Sequence, residues 1–115
     1  MKDISKEIIV DDKKYKIVFN LNVMEDIQKK YGSLKKWLDL VNTNDWNKVD
    51  LSALKYSLTL MFNEAIDIEN DSLPVEQKKP FLSEKEVGRI ISKEMLKTMG
   101  ETINESTEIL DLPNE

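Results

Sequence analysis

The sequence predicts an α+β protein, mainly α, in which an N-terminal β-hairpin packs against four or five helices within a single domain spanning residues 1–115. Three observations carry this. Apolar and polar residues alternate at period two only within the first 21 residues. From residue 22 onward, apolar residues recur at steps of three and four behind cap-forming side chains. A chain of 115 residues is long enough for one core and short for two.

The hairpin is expected over residues 8–21. Ile8-Ile9-Val10 is a β-branched run, and Asp11-Asp12-Lys13-Lys14 is a polar, turn-compatible connection. Tyr15, Ile17, Phe19 and Leu21 then alternate with Lys16, Val18 and Asn20, which places the four large side chains on one strand face. An isolated hairpin is marginal in water, so helices must cover that face.

The helical part is expected over residues 22–110. Asn22, with Glu25 three residues later, has the pattern of an N-cap with a capping box, and Gly32 sits where a left-handed C-cap residue belongs. Between them Val23, Met24, Ile27 and Tyr31 form the apolar stripe. Ser33 can cap a second, short helix whose apolar face is Leu34, Trp37, Leu38 and Val41, and Asn42-Thr43-Asn44-Asp45 reads as a loop.

Asp50 opens a third helix, with Leu51, Leu54, Leu58, Met61, Phe62 and Ala65 in its stripe. Tyr56, Leu60 and Ile66 widen that stripe, so this helix is expected to be central. Residues 67–80 are polar, carry Pro74 and Pro80, and read as a long mobile connection. Ser83-Glu84-Lys85-Glu86 is a capping box that starts a fourth helix. Val87, Ile90, Ile91, Met95, Met99 and Ile103 line its inner side. Gly100 ends or kinks that helix ahead of a short amphipathic piece over 103–110, and 111–115 is a frayed tail.

Composition excludes several function classes. The chain has no Cys and no His, which removes Ser-His, Cys-His and zinc chemistry, and no metal or cofactor is expected. The net charge of −5 runs against a nucleic-acid partner, which calls for a basic patch. No apolar run approaches the ~20 residues of a membrane span. The acidic N-terminus does not read as a signal peptide, so a cytoplasmic location is expected.

Individual constellations narrow the field further. Asp67-Ile68-Glu69-Asn70-Asp71 has the acid spacing of a calcium loop, but Ser72 and Lys78 occupy the positions that need Gly and Glu. The pairs Lys29-Lys30 and Lys35-Lys36 flank Gly32, yet Glu25, Asp26 and Asp39 dilute any basic field. A helix-turn-helix over 22–41 lacks the Arg, Asn and Gln readers of base edges. Three glycines cannot build a phosphate-cradling loop. Leu58, Met61, Phe62, Ile91, Met95 and Met99 form wide apolar stripes that serve either as core or as an adaptable groove for a partner's helix.

One stretch carries a resemblance. Phe19-Asn20-Leu21-Asn22-Val23-Met24-Glu25-Asp26-Ile27-Gln28-Lys29-Lys30-Tyr31-Gly32-Ser33 resembles the opening block of tail assembly chaperones from phages and prophages of Gram-positive bacteria. In that family a strand ending in Phe-Asn runs into a helix closed by an aromatic-Gly-Ser. Leu82-Ser83-Glu84-Lys85-Glu86-Val87-Gly88-Arg89-Ile90-Ile91 is similar to the family's Leu-Thr-x-x-x-Val-Gly-x-Leu-Ile segment, with Ser83 in place of Thr. The similarity spans most of residues 8–100.

The resemblance implies a non-enzymatic protein of the bacterial host cytoplasm. Such chaperones bind the tape measure protein, hold it soluble until tail-tube subunits polymerise around it, and are absent from the finished particle. Contact with the tail-tube protein and homo-oligomer formation are compatible with that role. The partner-binding residues expected from the stripes together with this role are Leu54, Leu58, Met61, Phe62, Ile91, Met95 and Met99. The alternative is a small regulatory or DNA-associated protein of a phage or other mobile element.

Overall fold

The computed structural model describes residues 4–45 and 47–94. Among these residues it is mainly α, with an N-terminal antiparallel hairpin and four helices. Strands β1 (Ile4–Val10) and β2 (Lys13–Phe19) are joined by a two-residue turn in which Asp11 and Asp12 have φ of 52° and 66°. Positive φ at both positions is the signature of the turn that matches strand twist, and Asp tolerates it better than most residues. Lys13 and Lys14 therefore belong to β2 and not to the loop. The hairpin also begins earlier than residue 8. The charges of Lys6 and Glu7 disguise β1 in the sequence, but Glu7 stands opposite Lys16, a favourable cross-strand pair.

Leu21 is not in the strand. It begins helix α1 (Leu21–Tyr31) and is 63% exposed, so the strand's large apolar side chains are Tyr15, Ile17 and Phe19, each half-buried. Val18, on the opposite pleat, is the most enclosed residue of β2. The N-cap of α1 is Asn20 instead of Asn22. Extended at φ −132° and ψ −174°, Asn20 accepts the Val23 N–H on Oδ1 at 3.2 Å. Gly32 closes α1 at φ 91°, donating its N–H to Gln28 O at 2.8 Å.

Helix α2 (Leu34–Val41) starts at Ser33, whose Oγ accepts the Lys36 N–H. Trp37 is its buried anchor and stacks on Phe19 at 5.9 Å. Leu38 is exposed, and Leu40 packs against the core in its place. Val23, Ile27, Trp37 and Ala53 form the core cluster, with Phe19, Tyr31, Leu34, Leu60 and Met61 around it.

Helix α3 (Leu51–Asn70) is capped by Asp50, which accepts the Ala53 N–H at 2.9 Å. It is the central helix, touching β2, α1 and α2. Its most enclosed positions include Ala53, Ser57 and Ala65 as well as Phe62. Small side chains at these multiples of four residues let neighbouring elements approach its axis. Phe62 meets the ring of Tyr15 edge-on at 5.8 Å, tying α3 to the hairpin. Burial of Phe62 and Ile27 contributes about 1.5–3 kcal/mol each.

The helix runs to Asn70, so Asp67, Ile68 and Glu69 lie in its last turn and the connection is shorter than 67–80. That connection is laced to α3. Asn70 Nδ2 donates to Lys79 O at 2.9 Å, and the Lys79 N–H donates to Asn70 Oδ1 at 2.8 Å. Asn63 repeats the arrangement with the carbonyl and N–H of Leu82, at 2.9 and 2.8 Å. Seven helical residues advance about 10.5 Å, and three extended residues span about 10 Å. The spacing of the two asparagines thus matches the returning segment, which runs antiparallel to α3. The Lys79–Glu69 ion pair at 2.7 Å adds to this seam.

The fourth helix, α4, is described over 84–94. Its capping box is formed as the sequence predicts: Glu86 N–H donates to Ser83 Oγ, and Ser83 N–H to Glu86 Oε1, both at 3.1 Å. Val87 is fully buried, while Ile90 and Ile91 are half-buried. The predicted positions Met95, Met99, Gly100 and Ile103, the piece over 103–110 and the tail over 111–115 lie outside the described residues.

Candidate functional site

An apolar groove of about 170 Å3 lies between α3 and α4. Its α3 wall is the row Leu51, Leu54 and Leu58, spaced so that all three share one helix face. Its α4 wall is Val87, Gly88 and Ile91, with Lys55 and Ser92 at the margins. A Cβ built at Gly88 meets Lys55 Cδ at 3.3 Å, a tight contact with a flexible side chain at the groove margin. Leu51, at the first turn of α3, is 58% exposed and leaves that end of the groove open. Lys55 is the groove's single ionisable side chain. The trough is smaller than the ~300 Å3 of ordinary small-molecule pockets.

Of the seven residues predicted from sequence, Leu54, Leu58 and Ile91 are brought together here. Two others lie outside this groove. Phe62 is only 1% exposed and is spent on the hairpin contact, because it lies on the α3 face that β2 covers. Met61 packs against the Val23–Ile27–Trp37–Ala53 cluster. The predicted partner-binding residues Met95 and Met99 are outside the described residues. Leu51, Lys55, Gly88 and Ser92 were not anticipated as groove residues. The signal for Leu51 is its place in the 51-54-58 row, and that for Gly88 is an interior helix glycine between Val87 and Ile91.

The described part of α4 is held in two ways. Before its first turn is the Asn63–Leu82 lacing and the Ser83–Glu86 box. The hydrogen bonds from Ser83 hold the Glu86 carboxyl below its usual range. Further along, Lys93 Nζ reaches Asp11 Oδ2 in the hairpin turn at 2.5 Å. That hydrogen bond and the Asp11 charge raise the Lys93 ammonium above its ordinary value.

Other charged features have local partners. Asn20 Nδ2 and Asn22 Nδ2 both donate to Glu64 Oε2, at 2.7 and 3.0 Å, which joins the start of α1 to α3. Lys29 pairs with Glu25 and Lys35 with Asp39, each within its own helix. Lys30 sits 4.3 Å over the Tyr56 ring, and Tyr56 meets Tyr31 edge-on at 6.0 Å. Partial burial, then Asp50 for Tyr31 and Asp26 for Tyr56, pushes both phenols above their usual range. Among the described residues, no group of three or more carboxylates is arranged to hold a metal ion, and no helix is long and apolar enough to cross a membrane.

No protein-family model, curated protein or solved structure matches the chain. What bears on its role is the groove together with the sequence resemblance.

Proposed function

We propose that this protein is a phage tail assembly chaperone that binds an apolar helical stretch of the tape measure protein and performs no bond chemistry. The groove between α3 and α4 is the observation that carries the reading. Leu51, Leu54, Leu58, Val87 and Ile91 offer an apolar trough with one open end, the kind of surface that takes the anchors of an amphipathic helix. The resemblance of residues 19–33 and 82–91 to that family supplies the identity of the client.

The physical logic is simple. A long apolar helical chain awaiting its tube exposes surface that aggregates. A small binder masks such surface, and a net charge of −5 on each copy keeps the complex dispersed. Many copies along one client need only modest affinity each, which leaves them displaceable by polymerising tube subunits.

Co-expression with a helical fragment of the tape measure protein from the same genome tests this. The wild-type chain keeps the fragment soluble. Leu58→Asp, which puts a carboxylate into the trough, does not, while retaining the wild-type circular dichroism spectrum. Lys29→Glu on the far surface of α1 behaves as wild type. A fragment that is equally soluble alone, or one still rescued by folded Leu58→Asp, overturns the proposal.

A further inference from the structure

We infer that α4 is a hinged jaw, pivoting at the Asn63–Leu82 lacing and latched by the Lys93–Asp11 ion pair, which must swing off α3 to admit a helix into the groove. The inference rests on the reading that the groove receives a partner's helix, and adds how that site is regulated.

The first argument is size. A docked helix presents anchors at i, i+4 and i+7, about 10 Å along its axis. The trough, at about 170 Å3, falls short of even an ordinary small-molecule pocket, so it accepts such a row only after its walls part.

The second argument is where the structure can yield. The α3 wall is fixed, because the same helix is buried against β2, α1 and α2 through Ala53, Phe62 and Ala65. The α4 wall is not. From residue 71 to residue 86 no side chain is buried, and within 84–94 only Val87 is. Leading into α4, the chain is held to α3 by the two asparagine lacings and one ion pair, with the largely exposed Phe81 beside Leu60. Units with few buried apolar contacts are the ones that open sub-globally.

The third argument is geometry. The groove residues Val87, Gly88, Ile91 and Ser92 all fall between the pivot at Leu82 and the latch at Lys93. Releasing the latch while the pivot holds parts the walls and exposes Val87, leaving the Val23–Ile27–Trp37–Ala53 cluster in place. The latch is suited to release: its two side chains are 61% and 66% exposed, so salt screens it.

Amide exchange and a cross-link test the jaw on the full chain. Exchange at residues 88–93 is at least tenfold faster than at residues 53–65, rises with ionic strength and rises again in Lys93→Glu. Because the chain has no Cys, Asp11→Cys with Lys93→Cys joined by a bis-maleimide closes this one contact. The bridged protein exchanges more slowly at 88–93, with 53–65 unchanged. It also binds an 18-residue amphipathic Leu/Lys model peptide at least tenfold more weakly than the same double variant left unbridged. Exchange at 88–93 as slow as at 53–65 overturns the jaw whatever the peptide does. Unaltered peptide affinity after bridging overturns it too, while leaving the groove reading intact. If the peptide binds neither form, the groove reading falls and the jaw is decided by exchange alone.

Discussion

Asn20 shows how much one residue can settle in this chain. Its Oδ1 caps α1 and its Nδ2 binds Glu64, so a single amide starts a helix and fastens it to another. Asn20→Asp keeps the cap but turns the donor into a second carboxylate beside Glu64. We expect it to destabilise the protein by about 1–3 kcal/mol in urea unfolding at neutral pH. The effect should shrink in a Glu64→Gln background, a coupling that a double-mutant cycle measures. The sequence announces a cap near this point but does not distinguish Asn20 from Asn22, because the deciding partner, Glu64, is 44 residues away. Gly88 makes a second test. Gly88→Ala removes an interior helix glycine, so α4 should gain up to about 1 kcal/mol. The added methyl meets the Lys55 stem at the groove margin. A melting temperature that rises while client binding weakens is the expected pair of outcomes. A residue kept only for packing would change stability alone.

Among the elements, the ones written locally were legible and those fixed by distant partners were not. Ser33, Asp50 and Ser83 cap helices where the sequence places them, because each cap is a contact with a backbone N–H three residues on. The end of α3 was not legible. Asp67-Ile68-Glu69-Asn70 is polar enough to read as loop, yet Asn70 binds the backbone of Lys79 and so selects one more helical turn. The groove was half legible for the same reason: a leucine row on α3 is visible in sequence, but which of its neighbours the hairpin covers is not. The start of α4 carries a pH prediction. Glu86 titrates below its ordinary 4.5 in the folded chain because the carboxylate accepts the Ser83 N–H. A lowered folded value means the contribution is present above the ordinary value and is lost as pH falls through the lowered one. The Ser83 amide resonance should therefore shift as pH is taken below about 4.5, and Glu86→Gln, which retains an acceptor, should abolish that shift.

For the whole molecule, charge and packing pull in separate directions. The excess of acids disperses the surface, while α3 collects hairpin, α1, α2 and α4 around one axis. Its alkaline limit follows from groups on three of these elements. Tyr31 and Tyr56 are raised above 10.0, first by partial burial, and Lys93 is raised above 10.5 by Asp11. Raised folded values stabilise the protein below the ordinary value, and that contribution disappears as pH climbs through the raised one. Helical content should fall together with late tyrosine ionisation above about pH 10, and Tyr31→Phe should remove part of that coupling in a spectrophotometric titration. The exposed lacing strand has one more consequence. Trypsin meets two adjacent lysines there, but Pro80 protects the bond after Lys79, so the scissile bond in that stretch is the one following Lys78. A nick at that bond would sever the peptide link between the two walls of the trough, leaving the enclosed Val87, the side-chain amides of Asn63 and Asn70 and the pairs Lys79–Glu69 and Lys93–Asp11 to keep the fragments together.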